Sequence, residues 1–458
     1  MDRRNNFRAK RKASWLIGLG LLFLSIASLA AAASLKTLYN FCPSGSPCSD
    51  GASPEGGLLI DSNGNLFGTT PKGGAFHSGA VFELSLTKKK TFTETPIYSF
   101  CPGGGTCIDG HAPQSNLIMD SAGNLYGTTA SGGANNGGTV FELSPAGLGA
   151  YTESVLYSFC STGGDNCTDG QGPFGGVVMD SDGDLYGTTN TGGANRIAST
   201  GAGVVFELTP NDSKTSYTEQ VLYNFCAQNG CADGITPYAG LLMDSSGDLF
   251  GTTAGGGSGN SGGVAYELTP NGSKTAYTES VLYSFCSQGE KACTDGDEPS
   301  PFAPLTADSG GNLYGVTFDG GAHAGGEVFK LTYDAATTSY SPRVLYNFCA
   351  KGGSKCTDGS NPQAGLIFDK SGNLYGTTYS GGGGKYRDGI AFELALDKKT
   401  GAYAESVLHS FCGTYKKNLC QDGANPVGTM AVDASGRLYG TTNRDGLYGA
   451  GTVFQITK

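Results

Sequence analysis

"DSAGNLYGTTASGG", residues 120–133, decides the fold of this chain because it returns. The same words stand as "DSDGDLYGTTNTGG" from Asp180 and as "DKSGNLYGTTYSGG" from Asp369. An Asp-x-x-Gly-Asn core suits a tight turn: the acid and amide side chains bond nearby backbone amides, and Gly123 takes the positive φ. "LYGTT" is a short run of strand formers, and "ASGG" opens a loop. A turn, strand and loop repeated in one order read as a supersecondary unit copied along the chain.

The cysteines count the copies. All 14 come as tight pairs: Cys42/Cys48, Cys101/Cys107, Cys160/Cys167, Cys226/Cys231, Cys286/Cys293, Cys349/Cys356 and Cys412/Cys420. Each pair follows a phenylalanine and precedes Asp-Gly. These phenylalanines, from Phe41 to Phe411, are 59 to 66 residues apart, which makes seven repeats. In an exported chain, paired cysteines predict disulfides within each repeat. A zinc or iron–sulfur site would need two pairs to converge or histidines in register, and His77, His111, His323 and His409 are scattered. None of the pairs is the Cys-x-x-Cys of a redox thiol.

Each repeat contains four strand-like runs and no helical period. In the second they are "NLIMD", "LYGTT", "TVFELS" and "SVLYSF", with "PAGLGAYTE" read as the connection between the last two. Four antiparallel strands per repeat predict an all-β, seven-bladed propeller. The segment "LKTLYNF" (35–41) matches a fourth strand, and the chain ends on a third, "GTVFQITK". Residues 35–41 are therefore expected to pair with Thr452–Thr457, completing blade 7 and closing the ring without a free sheet edge.

Residues 1–33 read as a signal peptide: six Arg/Lys, the apolar run "WLIGLGLLFLSIASLA", then small residues for cleavage near Ala33. Residues 34–458 form one propeller domain. Without the signal, Lys plus Arg falls from 29 to 23 and Asp plus Glu from 40 to 39, a net charge of −16. That balance speaks against nucleic acid and against anionic lipid surfaces. No later stretch is apolar and long enough to cross a bilayer, so no membrane insertion is expected after cleavage. The only tryptophan, Trp15, leaves with the signal. The protein is expected to be a secreted, cell-surface or periplasmic monomer.

"GLLIDSNGNLFGTT", "GTVFELSP" and "VLYSFC", in that order through nearly the whole mature chain, resemble the GloVer tandem-repeat family of exported bacterial proteins. The resemblance implies an extracellular β-propeller, in many members tethered by a C-terminal sorting signal. "GTVFQITK" carries no such tail, which points to free secretion. The resemblance implies no activity.

Little in the sequence reads as chemistry. The Asp-Gly aspartates (Asp50, Asp109, Asp169, Asp233, Asp295, Asp358, Asp422) recur seven times and are expected to cap turns. The "VFEL" glutamates Glu83, Glu142, Glu207, Glu267 and Glu393, replaced by Lys330 and Gln455, are expected to bond polar groups between blades. "DSDGD" (180–184) crowds three carboxylates, but an EF-hand's later Glu is missing, so calcium is the lesser reading and no cofactor is expected. "GNSGG" (259–263) matches a nucleophile motif without the strand-to-helix elbow that would make Ser261 reactive. His77 and His323 sit in corresponding loops of different blades.

The favoured function is therefore a binding or scaffold module for an extracellular ligand, glycan or protein, with an extracellular hydrolase or lyase as the alternative. If strands alternate in direction, the Cys-stapled crossings and the "T-T-x-x-G-G" loops share one face. The candidate ligand site lies there, where the repeat breaks: Phe318, Asp319, His323, Tyr379, Arg444 and Asp445.

Overall fold

Short apolar strands, tight turns and β-branched runs fold as their pattern demands. Among the described residues, seven antiparallel sheets of four or five strands follow one another along the chain. The computed structural model describes residues 33–458, apart from 90, 148, 198–199, 259–261, 289–292 and 301–302. The signal segment as far as residue 32, and Ser261, lie outside the described residues. Ala33–Lys458 form one unit, in which no described helix is long and apolar enough to cross a membrane.

Blade 2 shows the plan. Its strands, from the inside outwards, are Ile118–Met119, Leu125–Ser131, Thr139–Gly147 and Ala150–Ser158. The innermost strand is only two residues long. The expected connection "PAGLGAYTE" is instead almost all strand: Tyr151 pairs with Pro145 and Glu153 with Leu143. Gly147 and Gly149, both at positive φ, make the reversal, so the alternating side chains beside them stay in the ladder. Asp297–Pro299 in blade 5 and His111–Pro113 in blade 2 add an extra strand that the sequence did not announce.

Ser34–Asn40 pairs antiparallel with Thr452–Thr457, as the end-to-end match required. Blade 7 is thus built from both ends of the described chain and has no unpaired third strand.

The core lies between blades. Phe100, which precedes Cys101, meets Phe141 of the next blade at 5.1 Å, edge to face. An equivalent ring contact recurs as Phe41–Phe82, Phe159–Phe206, Phe225–Tyr266 and Phe348–Phe392, and in tilted form as Phe285–Phe329 and Phe411–Phe454. All these rings are buried. The glycine of "LYGTT" makes room for them: a Cβ at Gly127 would stand 2.7 Å from Phe141 Cζ and 2.8 Å from Leu117 Cδ2. Gly127→Ala should therefore lower stability by about 1–3 kcal/mol through overpacking. Gly272→Ala, with nothing within 4 Å of its Cβ, is the control and should be nearly neutral in the same thermal melt.

Candidate functional site

Every cysteine pair is bridged within its own repeat. The bridges are Cys42–Cys48, Cys101–Cys107, Cys160–Cys167, Cys226–Cys231, Cys286–Cys293, Cys349–Cys356 and Cys412–Cys420. The first cysteine of each pair takes a left-handed φ, between 55° and 68°. That conformation is costly for a residue with a Cβ and needs support. The Asp-Gly aspartate supplies it. Asp109 accepts bonds from Cys101 N at 2.9 Å and from Tyr98 Oη at 2.8 Å. Asp233 and Asp358 do the same for the amides that follow Cys226 and Cys349, and for Tyr223 and Tyr346. In the last repeat His409 replaces the tyrosine, its Nε2 standing 2.8 Å from Asp422. These aspartates are structural caps, as their sevenfold repetition implied.

The second cysteines are less uniform than their spacing suggested. Cys167, Cys231, Cys293 and Cys356 are also left-handed, at φ of 41° to 54°, whereas Cys48, Cys107 and Cys420 are not. A short 3-10 turn runs into Cys167 and into Cys356, and another ends on Cys231, which tightens these loops. In both groups the carbonyl of the second cysteine turns the chain into Asp-Gly. Cys48 O accepts from Gly51 N at 3.1 Å, Cys167 O from Gly170 N at 2.8 Å, Cys231 O from Gly234 N at 3.0 Å, and Cys356 O from Gly359 N at 2.8 Å.

Crossings and "T-T-x-x-G-G" loops share a face in all seven repeats. The amide of the second glycine donates to that same carbonyl of the second cysteine, as in Gly133 to Cys107 at 2.8 Å and Gly446 to Cys420 at 2.9 Å. Each staple thus ties the outer strand of one blade to the loop of the next.

On this face most of the expected ligand residues lie along one arc. Asn361 Nδ2 donates to Asp319 Oδ1 at 2.8 Å and to the carbonyl of Phe318 at 3.2 Å. The Asn361 carbonyl accepts from Tyr379 N at 2.9 Å. The Tyr379 carbonyl accepts from Asn425 Nδ2 at 2.9 Å, and Asn425 in turn accepts from Asn443 N, beside Arg444. Asp445 lies next in the chain, with Asp388 from blade 6 close by. Burial, then the proximity of Asp445, raises Asp388 above the usual carboxylate range. Burial, then Asp297, does the same to Asp319 against the Asn361 bond. Phe318, Asp319, Tyr379 and Asp445 are half-buried, whereas His323 and Arg444 are exposed.

The arc continues into residues that the repeat logic did not single out. Tyr386 and Tyr415 meet at 4.8 Å, and Lys385 Nζ sits 4.6 Å from the Tyr415 ring centre and 4.9 Å from that of Tyr386. Tyr386, Leu447 and Tyr448 are each about half exposed. Their signal was present in "KYRDG" (385–389) and "GLYG" (446–449), where aromatic and basic residues interrupt a glycine-rich word.

A second set of missed residues lies between the blades. The outer strands carry Glu94, Glu153, Glu219, Glu279 and Glu405 in the "YTE" word or its variants. Each approaches the capping aspartate of the preceding crossing; Tyr346, for example, donates to both Asp358 at 2.7 Å and Glu405 at 3.3 Å. One oxygen of each of the five glutamates is buried without a partner. Burial, then the neighbouring aspartate, pushes Glu94 up to about 8, and Glu153 and Glu279 up to about 7. Glu219 beside Asp169 also rises to about 7, for the same reasons.

On the opposite face the Asp-x-x-Gly turns ring the channel. Asp120 accepts from the amides of Ala122 and Asn124 at 2.8 and 2.9 Å. The innermost strands of blades 2, 3 and 4 line a cavity of about 810 Å³, with Asp180, Asp244 and Lys274 also on its wall. Where blades 3 and 4 meet, glycine backbones approach closely: a Cβ at Gly175 would lie 2.5 Å from Gly240 N. In "DSDGD", Lys274 Nζ stands 3.0 Å from Asp180 Oδ2, so a cation of the chain already serves that carboxylate.

The model of the Gloeobacter/Verrucomicrobia repeat family matches residues 19–168 and 164–357. No curated protein matches the sequence. Among solved structures, the chain is similar to PorZ, an essential bacterial surface component of the type-IX secretion system of Porphyromonas gingivalis. The TM-score is 0.52 at 14% identity, over 88% of this chain and 46% of that one. The chain thus spans under half of PorZ. A crystal structure of a protein from Lactobacillus plantarum is similar at TM-score 0.48 and 12% identity, over 78% of this chain and 85% of that one.

Proposed function

The chain belongs to the Gloeobacter/Verrucomicrobia repeat family, and from that premise we propose that it is an exported binding or scaffold module whose ligand seats on the crossing face of blades 5 to 7. The observation that carries this reading is the arc from Phe318 to Arg444 with the exposed rings of Tyr386 and Tyr448 beside it. Aromatic faces with cations and amides among them suit a carbohydrate or a protein loop: the rings supply area at low conformational cost, and the polar groups orient. Seven disulfides fit an oxidising compartment, and the signal-like N-terminus would deliver the chain there. PorZ is itself a surface component, which agrees with a surface role and lends no ligand.

The test is a glycan and cell-wall polymer array, with and without calcium, on exported protein whose mass begins near Ser34. Phe318→Ala, Tyr379→Ala, Arg444→Ala and Tyr386→Ala should each weaken the ligand found by about tenfold, the scale of a single anchor residue. Unchanged affinity in all four, with the melting temperature intact, rejects this placement.

A further inference from the structure

The seven blade-to-blade clefts on the turn face are built alike, and among the described residues four of them contain a cation of the chain itself. Each has a turn aspartate, the "VFEL" position and the aromatic residue of "LYG" or "LFG". In blade 3, Lys274 stands 3.0 Å from Asp180. In blade 5, Lys330 lies 4.0 Å from Asp308 and 5.2 Å from the Tyr314 ring centre. In blade 6, Lys458 lies 2.6 Å from Glu393 and 4.8 Å from the Tyr375 ring centre. In blade 7, Arg437 lies 2.6 Å from Asp433 and 6.0 Å from the Tyr439 ring centre. These cations come from four unrelated sequence positions: a neighbour's hairpin, the "VFEL" position, the last residue and the turn itself. Their arrival in equivalent clefts says what the cleft takes.

Blades 1 and 2 manage without a cation because amides and hydroxyls serve the acids. Asn65 and Asn124 donate to Asp61 and Asp120, and Ser85 and Ser144 donate to Glu83 and Glu142. Blade 4 has no cation and lacks the amide; Thr269, in the place of Ser85 and Ser144, bonds Asp248 and, among the described residues, leaves Asp244 and Glu267 without a side-chain donor. Asp248 replaces the asparagine and Phe250 replaces the tyrosine, so Asp244, Asp248 and Glu267 share one cleft. Among the described residues no Lys, Arg or His pairs with any of the three. The hairpin of blade 5 that faces them, "YDAATTSY" (333–340), has no counterpart of Lys274. A cavity of about 270 Å³ remains, walled by Phe250, Tyr333 and Tyr340 as well as by the three acids. Tyr333 and Tyr340 meet at 5.1 Å, and Phe250 meets Tyr340 edge to face at 6.4 Å.

We propose that this cleft binds a primary ammonium carried on an aliphatic stem, as a free amine or as a lysine side chain. The ammonium sits against Glu267 and Asp244, where the lysines sit in blades 3 and 6, and the stem lies along the aromatic walls. Burial, then mutual repulsion, holds Asp248 and Glu267 above their ordinary range.

Calorimetric titration of the oxidised chain with pentylamine, 1-pentanol, Nα-acetyl-lysine methylamide and calcium chloride tests this. Pentylamine should bind once per chain with a dissociation constant of about 1 mM or tighter, and 1-pentanol should not bind. Glu267→Lys copies Lys330 and Asp248→Asn copies Asn124, so both variants should fold, with the melting temperature as check. The first should weaken pentylamine at least about tenfold and the second about threefold. Binding of the lysine derivative as well identifies a protein partner, whereas pentylamine alone identifies a small amine; either supports the site. Failure of pentylamine to bind, equal binding of 1-pentanol, calcium displacing pentylamine, or wild-type affinity in both variants overturns it.

Discussion

Removing Ser34–Asn40 should abolish cooperative folding of the propeller. The strand pairs with Thr452–Thr457 through six residue pairs, and its loss exposes a third strand that is otherwise mostly buried. Leu35 and Leu38 pack against the cores on either side of blade 7. Two apolar side chains at about 1.5–3 kcal/mol each, with the ladder bonds, approach the 5–15 kcal/mol that holds a typical domain. An open edge also invites pairing with a second chain, so aggregation should accompany the loss. A permuted chain in which residues 34–40 follow Lys458 is the control: it restores the strand from the other end and should melt near the wild-type temperature. A deletion that melts like the intact protein would refute ring closure as the source of stability.

The second large effect is with pH, and it runs opposite to ordinary acid denaturation. Glu94, Glu153, Glu219 and Glu279 have folded-state pKa values of about 7 to 8, above the ordinary 4.5. Glu327, buried beside Asp295 where Pro342 interrupts the outer-strand pattern, also rises to about 8. Between about pH 4.5 and 8 the folded state therefore binds more protons than the unfolded chain, and stability falls as pH rises through that window. The stabilisation is fully present below pH 4.5 and lost above pH 8. Discounted for solvent screening, each site contributes about 1 kcal/mol, so the melting temperature should drop by several degrees between pH 5 and pH 8.5. Glu153→Gln keeps the shape and cannot ionise; it should raise the melting temperature at pH 8.5 and leave it nearly unchanged at pH 5. A melting temperature that rises from pH 5 to 8.5 would contradict the protonated pairs.

Repeat number, strand direction, face assignment and closure were legible in the sequence because each rests on residues close together in one repeat. Phe100, Cys101, Cys107 and Asp109 fall within ten positions, and their order survives in every copy. Whatever depends on the neighbouring blade was hidden. Glu153 meets Asp109 and Tyr98 only once the register of two sheets is known, so "YTE" read as a connection. Asp319 could be nominated from its broken repeat, but not its bond to Asn361, which comes from the crossing into the next blade. Tyr386 and Tyr448 were hidden for another reason: their exposure is decided by how irregular loops lie, and no periodicity records that.

Seven staples closed over five to eight residues each have a consequence for how the molecule is made. Within each pair, a cysteine bonds its nearest neighbour along the chain. An oxidant that joins thiols in their order along the chain makes the native pattern at the first attempt. Such a chain has little use for a disulfide isomerase, and copying one repeat carries a complete staple with it. A ring with an added or deleted blade would inherit no mispaired thiol.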